Sequence, residues 1–192
     1  CIINNLPPYT LSQVKEWVTQ KNIILFDQMT NISKSNQDRL AEQLCINPFL
    51  SCQALPAQDA TKYIFELSNH VFIEAVAIQE KGYETLCISS QAGCPVDCKF
   101  CLTGVGGLKK NLSVTEIIAQ LGIIKSKGHH ITHVVFMGMG EPLLNLPAVL
   151  PAIDWLQSDW GFNLSRRHIT VSTSGYLAGI DTLIKNNIPV NL

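Results

Sequence analysis

The sequence predicts an α/β fold, because strand-like and helix-like segments alternate through its second half. Short β-rich runs at residues 85–89, 132–138 and 168–172 are each followed by a stretch with helical periodicity, at 113–127, 147–156 and 177–185. Repeated β-α units are typical of a parallel sheet with right-handed crossovers. The first 82 residues have a different pattern, so we divide the chain into an accessory region (1–82) and an α/β region (83–192).

The accessory region is predicted to contain helices followed by a β-hairpin. Apolar residues recur at helical spacing between Leu11 and Val18, and a second helix is expected at 35–44. Residues 1–60 are expected to form helices joined by loops, and Pro48 and Pro56 to break the pattern after the second helix. Residues 62–67 and 71–76 are β-rich and roughly alternating, with a turn between them, which indicates a hairpin.

Local signals support the elements of the α/β region. Ser113 and Glu116 have the spacing of a capping box, and Gly128 is a suitable helix stop. Residues 132–138 are nearly all apolar, as expected for a parallel strand buried on both faces. Residues 188–192 suggest a further strand. Because the chain also starts without Met, we expect it to be a fragment open at both ends.

Composition limits the classes of protein to consider. Hydrophobic residues make up 46% and charged residues 15%, which describes a globular chain rather than a disordered one. No apolar run is long enough to cross a bilayer, and no secretory signal is present, so we expect a cytoplasmic protein without a membrane partner. The net charge of −1 gives no bulk electrostatic support for nucleic-acid binding.

The cysteines are odd in number and partly clustered, which favours metal or redox chemistry over a disulfide framework. The seven are Cys1, Cys45, Cys52, Cys87, Cys94, Cys98 and Cys101. The last three form a CxxxCxxC motif, CPVDCKFC, that directly follows a predicted strand. Three thiolates from one tight loop can each bind one iron of a [4Fe–4S] cube and leave the fourth iron open for a chelating ligand.

The open iron suits the amine and carboxylate of S-adenosylmethionine (SAM), which an electron from the cluster would cleave to a 5′-deoxyadenosyl radical. The motif therefore predicts a radical SAM enzyme. Two simpler interpretations remain: a zinc site, which needs a fourth ligand from elsewhere in the chain, or chance clustering of buried cysteines.

Other candidate residues lie at the carboxyl ends of the next two strands, where α/β barrels place their catalytic loops. The run MGMGEP (137–142) offers glycines for close approach and Glu141 for an ammonium group. Ser172 opens the run STSG, whose hydroxyls can bond a ribose. Taken alone, both runs are better explained as ordinary turns. Glu74, on the hairpin, is a candidate general base, although most strand carboxylates simply face solvent.

Several runs together closely resemble the RlmN/Cfr family of radical SAM RNA adenine methyltransferases. They are CISSQAGCPVDCKFC (87–101), GLKKNL (107–112), MGMGEPLLN (137–145) and LSRRHITVSTSG (164–175). The resemblance covers nearly the whole chain, more loosely in the accessory region. It implies a truncated radical SAM (βα)6 barrel from about residue 83.

The resemblance also implies a two-stage reaction. One SAM methylates a cysteine, which the family places beyond Leu192. A second SAM, cleaved at the cluster, abstracts a hydrogen from that methyl group, and the carbon radical adds to adenine. A base then removes the ring proton, and a second cysteine resolves the protein–RNA adduct through a transient disulfide. We expect the fragment alone not to complete this reaction.

Carried over by position, the resemblance assigns each candidate a role. Glu74 matches the proton acceptor and Cys87 the resolving cysteine. The cluster ligands match Cys94, Cys98 and Cys101, and the SAM contacts match Gly140, Glu141 and Ser172.

The family's substrates supply the expected partners. RlmN-type enzymes modify carbon 2 of an adenine in 23S rRNA and adenine 37 in tRNA, whereas Cfr-type enzymes modify carbon 8 of the rRNA adenine. The run EPLLN (141–145) resembles RlmN more closely, so carbon 2 is favoured and carbon 8 is the alternative. We further expect a monomer, an electron donor such as flavodoxin, and an RNA whose target base can leave its stack.

Overall fold

The computed structural model describes residues 6–68, 70–188 and 190–192. In chain order its strands are β1 (Ser51–Pro56), β2 (Ala60–Glu66), β3 (Phe72–Glu80), β4 (Tyr83–Cys87), β5 (Gln91–Gly93), β6 (Leu108–Asn111), β7 (His133–Phe136) and β8 (Ile169–Val171). Its α-helices are α1 (Pro8–Thr19), α2 (Lys34–Gln43), α3 (Val114–Ser126), α4 (Leu146–Gln157) and α5 (Leu177–Lys185). The predicted α/β fold is confirmed.

The main sheet has six strands in the order β1-β2-β3-β4-β7-β8. The first four pair antiparallel, and β4, β7 and β8 pair parallel. A parallel bridge between Thr170 and Asn191 extends the parallel part beyond β8. Within the described residues the sheet does not close, as expected for a partial barrel. The predicted hairpin is confirmed as β2 and β3, although Asn69 in its turn lies outside the described residues.

The expectation that residues 1–60 contain only helices and loops is wrong, because β1 lies within them and pairs with β2 along its whole length. Five of its six residues are exposed, so the strand has no buried face to produce an alternating apolar pattern. Pro56 ends it at the sheet edge, where a missing N–H costs no ladder bond. The strand is therefore fixed by long-range pairing rather than by a local signal.

The sheet has one buried and one open face. Alternate residues of β3, β4, β7 and β8 are buried in a core shared with α3 and α4, and the residues between them are half-buried. The prediction that residues 132–138 are buried on both faces is thus wrong for the described chain. Glu74 and Cys87 lie on the open face, as do Val76 and Val135.

The predicted capping box and the predicted helices of the accessory region, α1 and α2, are confirmed. The Ser113 hydroxyl accepts from the Glu116 N–H at 3.2 Å, and the Glu116 carboxylate accepts from the Ser113 N–H at 2.8 Å, which forms the capping box of α3. The accessory helices have a separate small core around Met29 and Leu40.

In the part of the chain that the structure describes, no helix is long and apolar enough to cross a membrane.

Candidate active site

A cleft of about 370 Å³ lies where the cysteine loop meets the carboxyl ends of β7 and β8. Six of the eight predicted site residues line it: Cys94, Cys98, Cys101, Gly140, Glu141 and Ser172. These residues come from three separate stretches of the chain. The volume is within the range of small-molecule sites, which is roughly 300–1,000 Å³.

The cysteine loop is compact because its backbone folds back on itself. It leaves β5 at Cys94, and the Cys101 N–H donates to the Cys98 carbonyl at 2.9 Å. A side chain at Gly104 would lie 2.7 Å from the Val96 carbonyl oxygen, so glycine permits this approach. The loop therefore presents its three thiols to one cleft.

The thiols differ in acidity. Burial raises the pKa of the Cys94 thiol, and an N–H bond from Val96 only partly opposes this. At Cys101, hydrogen bonds from the Thr103 hydroxyl and backbone lower the thiol pKa. Cys101 therefore has the larger thiolate fraction at a given pH, and a thiolate is the form that binds iron.

This donor set fits an iron–sulfur cube better than a single metal ion. Among residues 6–68, 70–188 and 190–192, no three His, Cys, Asp or Glu side chains converge closely enough to hold one ion. A structural zinc site needs such convergence, usually of four ligands. A cube instead takes each thiolate on a different iron, so its ligands surround the cluster rather than meet at a point.

The carboxylate of Glu141 is buried and already bonded. One oxygen accepts from the Leu143 N–H at 3.0 Å and the Thr173 hydroxyl at 2.8 Å. The other accepts from the N–H and hydroxyl of Ser174 at 2.7 and 2.8 Å. The side chain thus ties the loop after β7 to the loop after β8. An ammonium group at this carboxylate would take the place of a hydroxyl, which can rotate away.

Glycines bring the loop after β7 against the segment that precedes the cysteines. Gly140 has φ +102°, and a Cβ there would lie 2.5 Å from the Cβ of Gln91. The Gln91 side-chain amide in turn accepts a hydrogen bond from the Glu141 N–H at 2.8 Å. It donates one to the side-chain oxygen of Asn111 at 2.7 Å. Glycine is needed here for both the positive φ and the close approach.

Glu74 lies outside the cleft, on the open face of β3. Its carboxylate is 3.2 Å from the Lys62 ammonium, and the side chain is 44% exposed. Solvent and a counter-ion are therefore its present partners. A substrate bound over the open face would reach it without passing through the core.

Cys87 occupies the same face at the end of β4, next to the cleft. It is opposite Val76 of β3 and beside Val135 of β7. Burial raises the pKa of its thiol, and a hydrogen bond from the backbone N–H of Met137, a cleft residue, partly opposes the increase. Because Cys87 pairs with Val76, it lies on the strand next to Glu74, opposite a position two residues further along β3.

Sequence reasoning gave no role to the buried amides that hold these loops. Gln120 of α3 accepts from the Ser89 N–H and donates to the Ser89 carbonyl, both at 2.9 Å. Asn145 donates to the carbonyls of Ser90 and Leu112 at 2.8 and 2.9 Å. A glutamine in the otherwise apolar run IIAQLGII (117–124) was the available signal, since buried polar groups are normally hydrogen-bonded.

Two family profiles match the chain. The Radical SAM superfamily matches residues 88–191, and the ribosomal RNA large subunit methyltransferase N-terminal domain matches residues 5–46. Together they cover the cysteine loop, the cleft and the accessory helices. The second match also supports the looser resemblance of the accessory region.

Individual relatives agree with these matches. The probable dual-specificity RNA methyltransferase RlmN of Aquifex aeolicus is 42% identical over 95% of this chain and 53% of its own length. The dual-specificity RNA methyltransferase RlmN of Vesicomyosocius okutanii is 44% identical over 96% of this chain and 53% of its own length. The chain therefore spans about half the length of the curated relatives it matches.

A solved structure shares the fold. The crystal structure of a radical SAM methyltransferase from Sphaerobacter thermophilus has a TM-score of 0.88 and 33% sequence identity, covering 94% of this chain and 55% of that one. The predicted resemblance is confirmed, and with it the two cofactors of the family, a [4Fe–4S] cluster and SAM. The chain belongs to the radical SAM superfamily, within which it is similar to the RlmN methyltransferases.

Proposed function

We propose that the protein methylates carbon 2 of an adenine in 23S rRNA and of adenine 37 in tRNA, by radical cleavage of SAM. The observation that carries this proposal is the cleft in which the three thiols of the CxxxCxxC loop face the loops after β7 and β8. The relatives described as dual-specificity RNA methyltransferases supply the substrate class.

In this proposal Cys94, Cys98 and Cys101 bind the cluster. When bound, the cluster supplies the electron that cleaves SAM. The loop would contribute three thiolates to the cluster, and no fourth cysteine lines the cleft among the described residues, so SAM would supply the remaining ligand. The raised pKa of Cys94 means that iron binding must displace its proton.

Gly140, Glu141 and Ser172 orient SAM beside the cluster. The backbone at Gly140 can approach a ligand closely, and Ser172 offers a hydroxyl at the cleft wall. Glu141 offers a carboxylate to the methionyl ammonium in exchange for a hydroxyl bond from Thr173 or Ser174. Charge-assisted bonds are about twice as strong as neutral ones, which favours this exchange.

Glu74 and Cys87 act on the RNA in this scheme. After the methylene carbon has bonded to adenine, the radical adduct would return one electron to the oxidised cluster, and the Glu74 carboxylate accepts the ring proton. The Cys87 thiolate then attacks the sulfur of the methyl-carrying cysteine and forms a disulfide with it. The bond between that sulfur and the methylene carbon breaks, and the carbon keeps the electron pair and takes up a proton to become the methyl group of the released base. Both side chains are on the open face of the sheet, where a flipped adenine can meet them.

Carbon 8 chemistry of the Cfr type is the alternative. The similarity of the chain to RlmN methyltransferases favours carbon 2. We also propose that the protein works as a cytoplasmic monomer and receives electrons from a donor such as flavodoxin.

The test uses the full-length protein with its cluster reconstituted anaerobically. We expect about four irons and four sulfides per chain, reductive formation of 5′-deoxyadenosine, and 2-methyladenosine in digests of 23S rRNA and tRNA. Cys98→Ala should abolish all three. The matched control is Cys45→Ala, which removes an exposed thiol outside the cleft and should leave them unchanged.

Other results would redirect or end the proposal. Recovery of 8-methyladenosine would support the alternative. Stoichiometric zinc without labile sulfide would contradict cluster chemistry altogether. SAM cleavage with no methylated RNA would keep the cofactor assignment and overturn the substrate.

A further inference from the structure

Ser89 connects the strand that carries Glu74 to the loop that carries Gly140 and Glu141. Its side chain is fully buried, with 0% of the residue exposed. The hydroxyl donates to the backbone carbonyl of Glu74 at 2.6 Å and accepts from the backbone N–H of Met139 at 2.8 Å. One oxygen atom therefore bridges two segments that are 65 residues apart in sequence, from 74 to 139.

Ser89 is itself held in place from the helix side of the sheet. Gln120 bonds both its N–H and its carbonyl at 2.9 Å. The loop after β7 packs directly against Ser89. A Cβ at Gly138 of that loop would lie only 2.8 Å from the Ser89 nitrogen, so no larger residue fits there. The position of the hydroxyl is thus fixed by Gln120, which lies outside the cleft, and by the close approach of Gly138 at the cleft wall.

We propose that Ser89 is a positioning residue that sets the location of the Glu74 carboxylate relative to the SAM-binding loop after β7. The inference rests on the proposed function, because Glu74 accepts a proton only in that reaction. Ser89 itself touches neither SAM nor RNA in this scheme. Its effect is transmitted through the backbone of β3 on one side and the backbone of Met139 on the other.

The hydroxyl matters because the two stages of the reaction use different groups. SAM is cleaved beside the loop after β7, whereas the ring proton leaves to Glu74. A general base must come within about 3 Å of its proton, and a displacement of about 1 Å can cost about 100-fold in rate. Loosening the bridge should therefore slow proton removal while SAM cleavage continues.

The neighbouring residue provides a matched control. Ser90 is 2% exposed, and within the described chain its hydroxyl has no hydrogen-bond partner. Ser89→Ala and Ser90→Ala thus make the same chemical change at adjacent buried positions, and only the first removes a bridge. Glu74→Gln, measured in parallel, reports what loss of the base itself does.

The experiment uses the full-length holoenzyme with SAM, a reductant and RNA. It measures 5′-deoxyadenosine, methylated adenine and the covalent protein–RNA adduct. For Ser89→Ala we expect methylated adenine per 5′-deoxyadenosine to fall about ten-fold or more, with a matching increase in adduct. Ser90→Ala should stay within about two-fold of the unchanged protein, since a lost unpaired hydroxyl is nearly neutral.

A second pair of variants separates the loss of the hydroxyl from a change in side-chain shape. Ser89→Thr and Ser89→Val have nearly the same shape and differ in the hydroxyl, so Thr should retain a clearly higher product ratio than Val. Equal ratios for Thr and Val would overturn the inference, as would a Ser89→Ala ratio equal to that of Ser90→Ala.

The proposed function fails separately. If the unchanged protein makes no methylated adenine, that function is wrong. If Glu74→Gln lowers the product ratio and Ser89→Ala does not, only the role of Ser89 is wrong. If Glu74→Gln has no effect, Glu74 is not the base and the role of Ser89 is overturned with it.

Discussion

Replacing Gln120 with Leu should release the segment that precedes the cysteine loop. Gln120 is fully buried on α3, and its side chain holds the N–H and the carbonyl of Ser89 at 2.9 Å each. Leucine has a similar size but no polar atom. The substitution therefore removes both bonds at one residue without opening a large cavity.

The cost can be worked out from these two bonds. Each buried backbone group left without a partner costs about 1–3 kcal/mol. Burying leucine in place of an amide offsets about 1–2 kcal/mol of the sum. The net effect is about 3 kcal/mol on local opening of this segment, which corresponds to about a 100-fold increase in its open population.

Amide hydrogen exchange measures this opening directly. In the full-length protein, peptides that span residues 88–91 should exchange about 100-fold faster in Gln120→Leu than in the unchanged protein. Gln43→Leu, the same change at an exposed position at the end of α2, should have no such effect. Unchanged exchange at Ser89 in a folded Gln120→Leu protein would refute the claim that the glutamine holds this segment.

Two further predictions concern the cleft itself. Gly140→Ala should lower the free energy of unfolding by about 3 kcal/mol, because it adds both positive-φ strain and a clash with Gln91. The control is Gly82→Ala, where φ is +89° and a Cβ would meet no atom within 4 Å. This variant should lower the free energy of unfolding by only about 1 kcal/mol. Urea denaturation checks this, and equal losses would contradict it. In cluster-free protein, iodoacetamide should label Cys101 before Cys87, because the lowered pKa of Cys101 gives it more thiolate and the raised pKa of Cys87 gives it less. Raising the pH should narrow the difference in labelling rate between the two thiols. Mass spectrometry of the labelled peptides measures these rates, and faster labelling of Cys87 would refute the argument.

The parts of the fold that the sequence predicts correctly are those with strong local signals. The capping box at Ser113, the hairpin of β2 and β3, and helix α5 each depend on residues close together in the chain. The cysteine loop is equally local, because its spacing alone indicates a cluster. Strand β1 is missed for the opposite reason: its pairing partner is distant, and its own residues are mostly exposed.

The open face of the sheet explains another difference. An apolar strand such as β7 predicts burial on both faces, but its alternate residues remain half-buried in the described chain. The sequence shows how apolar a strand is, but it does not show which other segments cover each of the two faces of that strand. Glu74 and Cys87 lie on that face, so their roles cannot be assigned from a local pattern and stay predictions.

A polar residue inside an apolar run indicates a buried hydrogen bond, which the hydrophobic periodicity of the run does not predict. Gln120 and Glu141 each interrupt or end a hydrophobic stretch, and each proves to be a buried side chain with several hydrogen bonds to a different loop. Burying such a group costs free energy unless partners are present, so its occurrence predicts that partners exist. The sequence cannot name the partners, since Ser174 lies 33 residues from Glu141 and Ser89 lies 31 from Gln120. In this protein those unnamed partners are the loops that surround the cleft. For that reason the sequence can propose candidate cofactor ligands but cannot identify the residues that hold their loops in place.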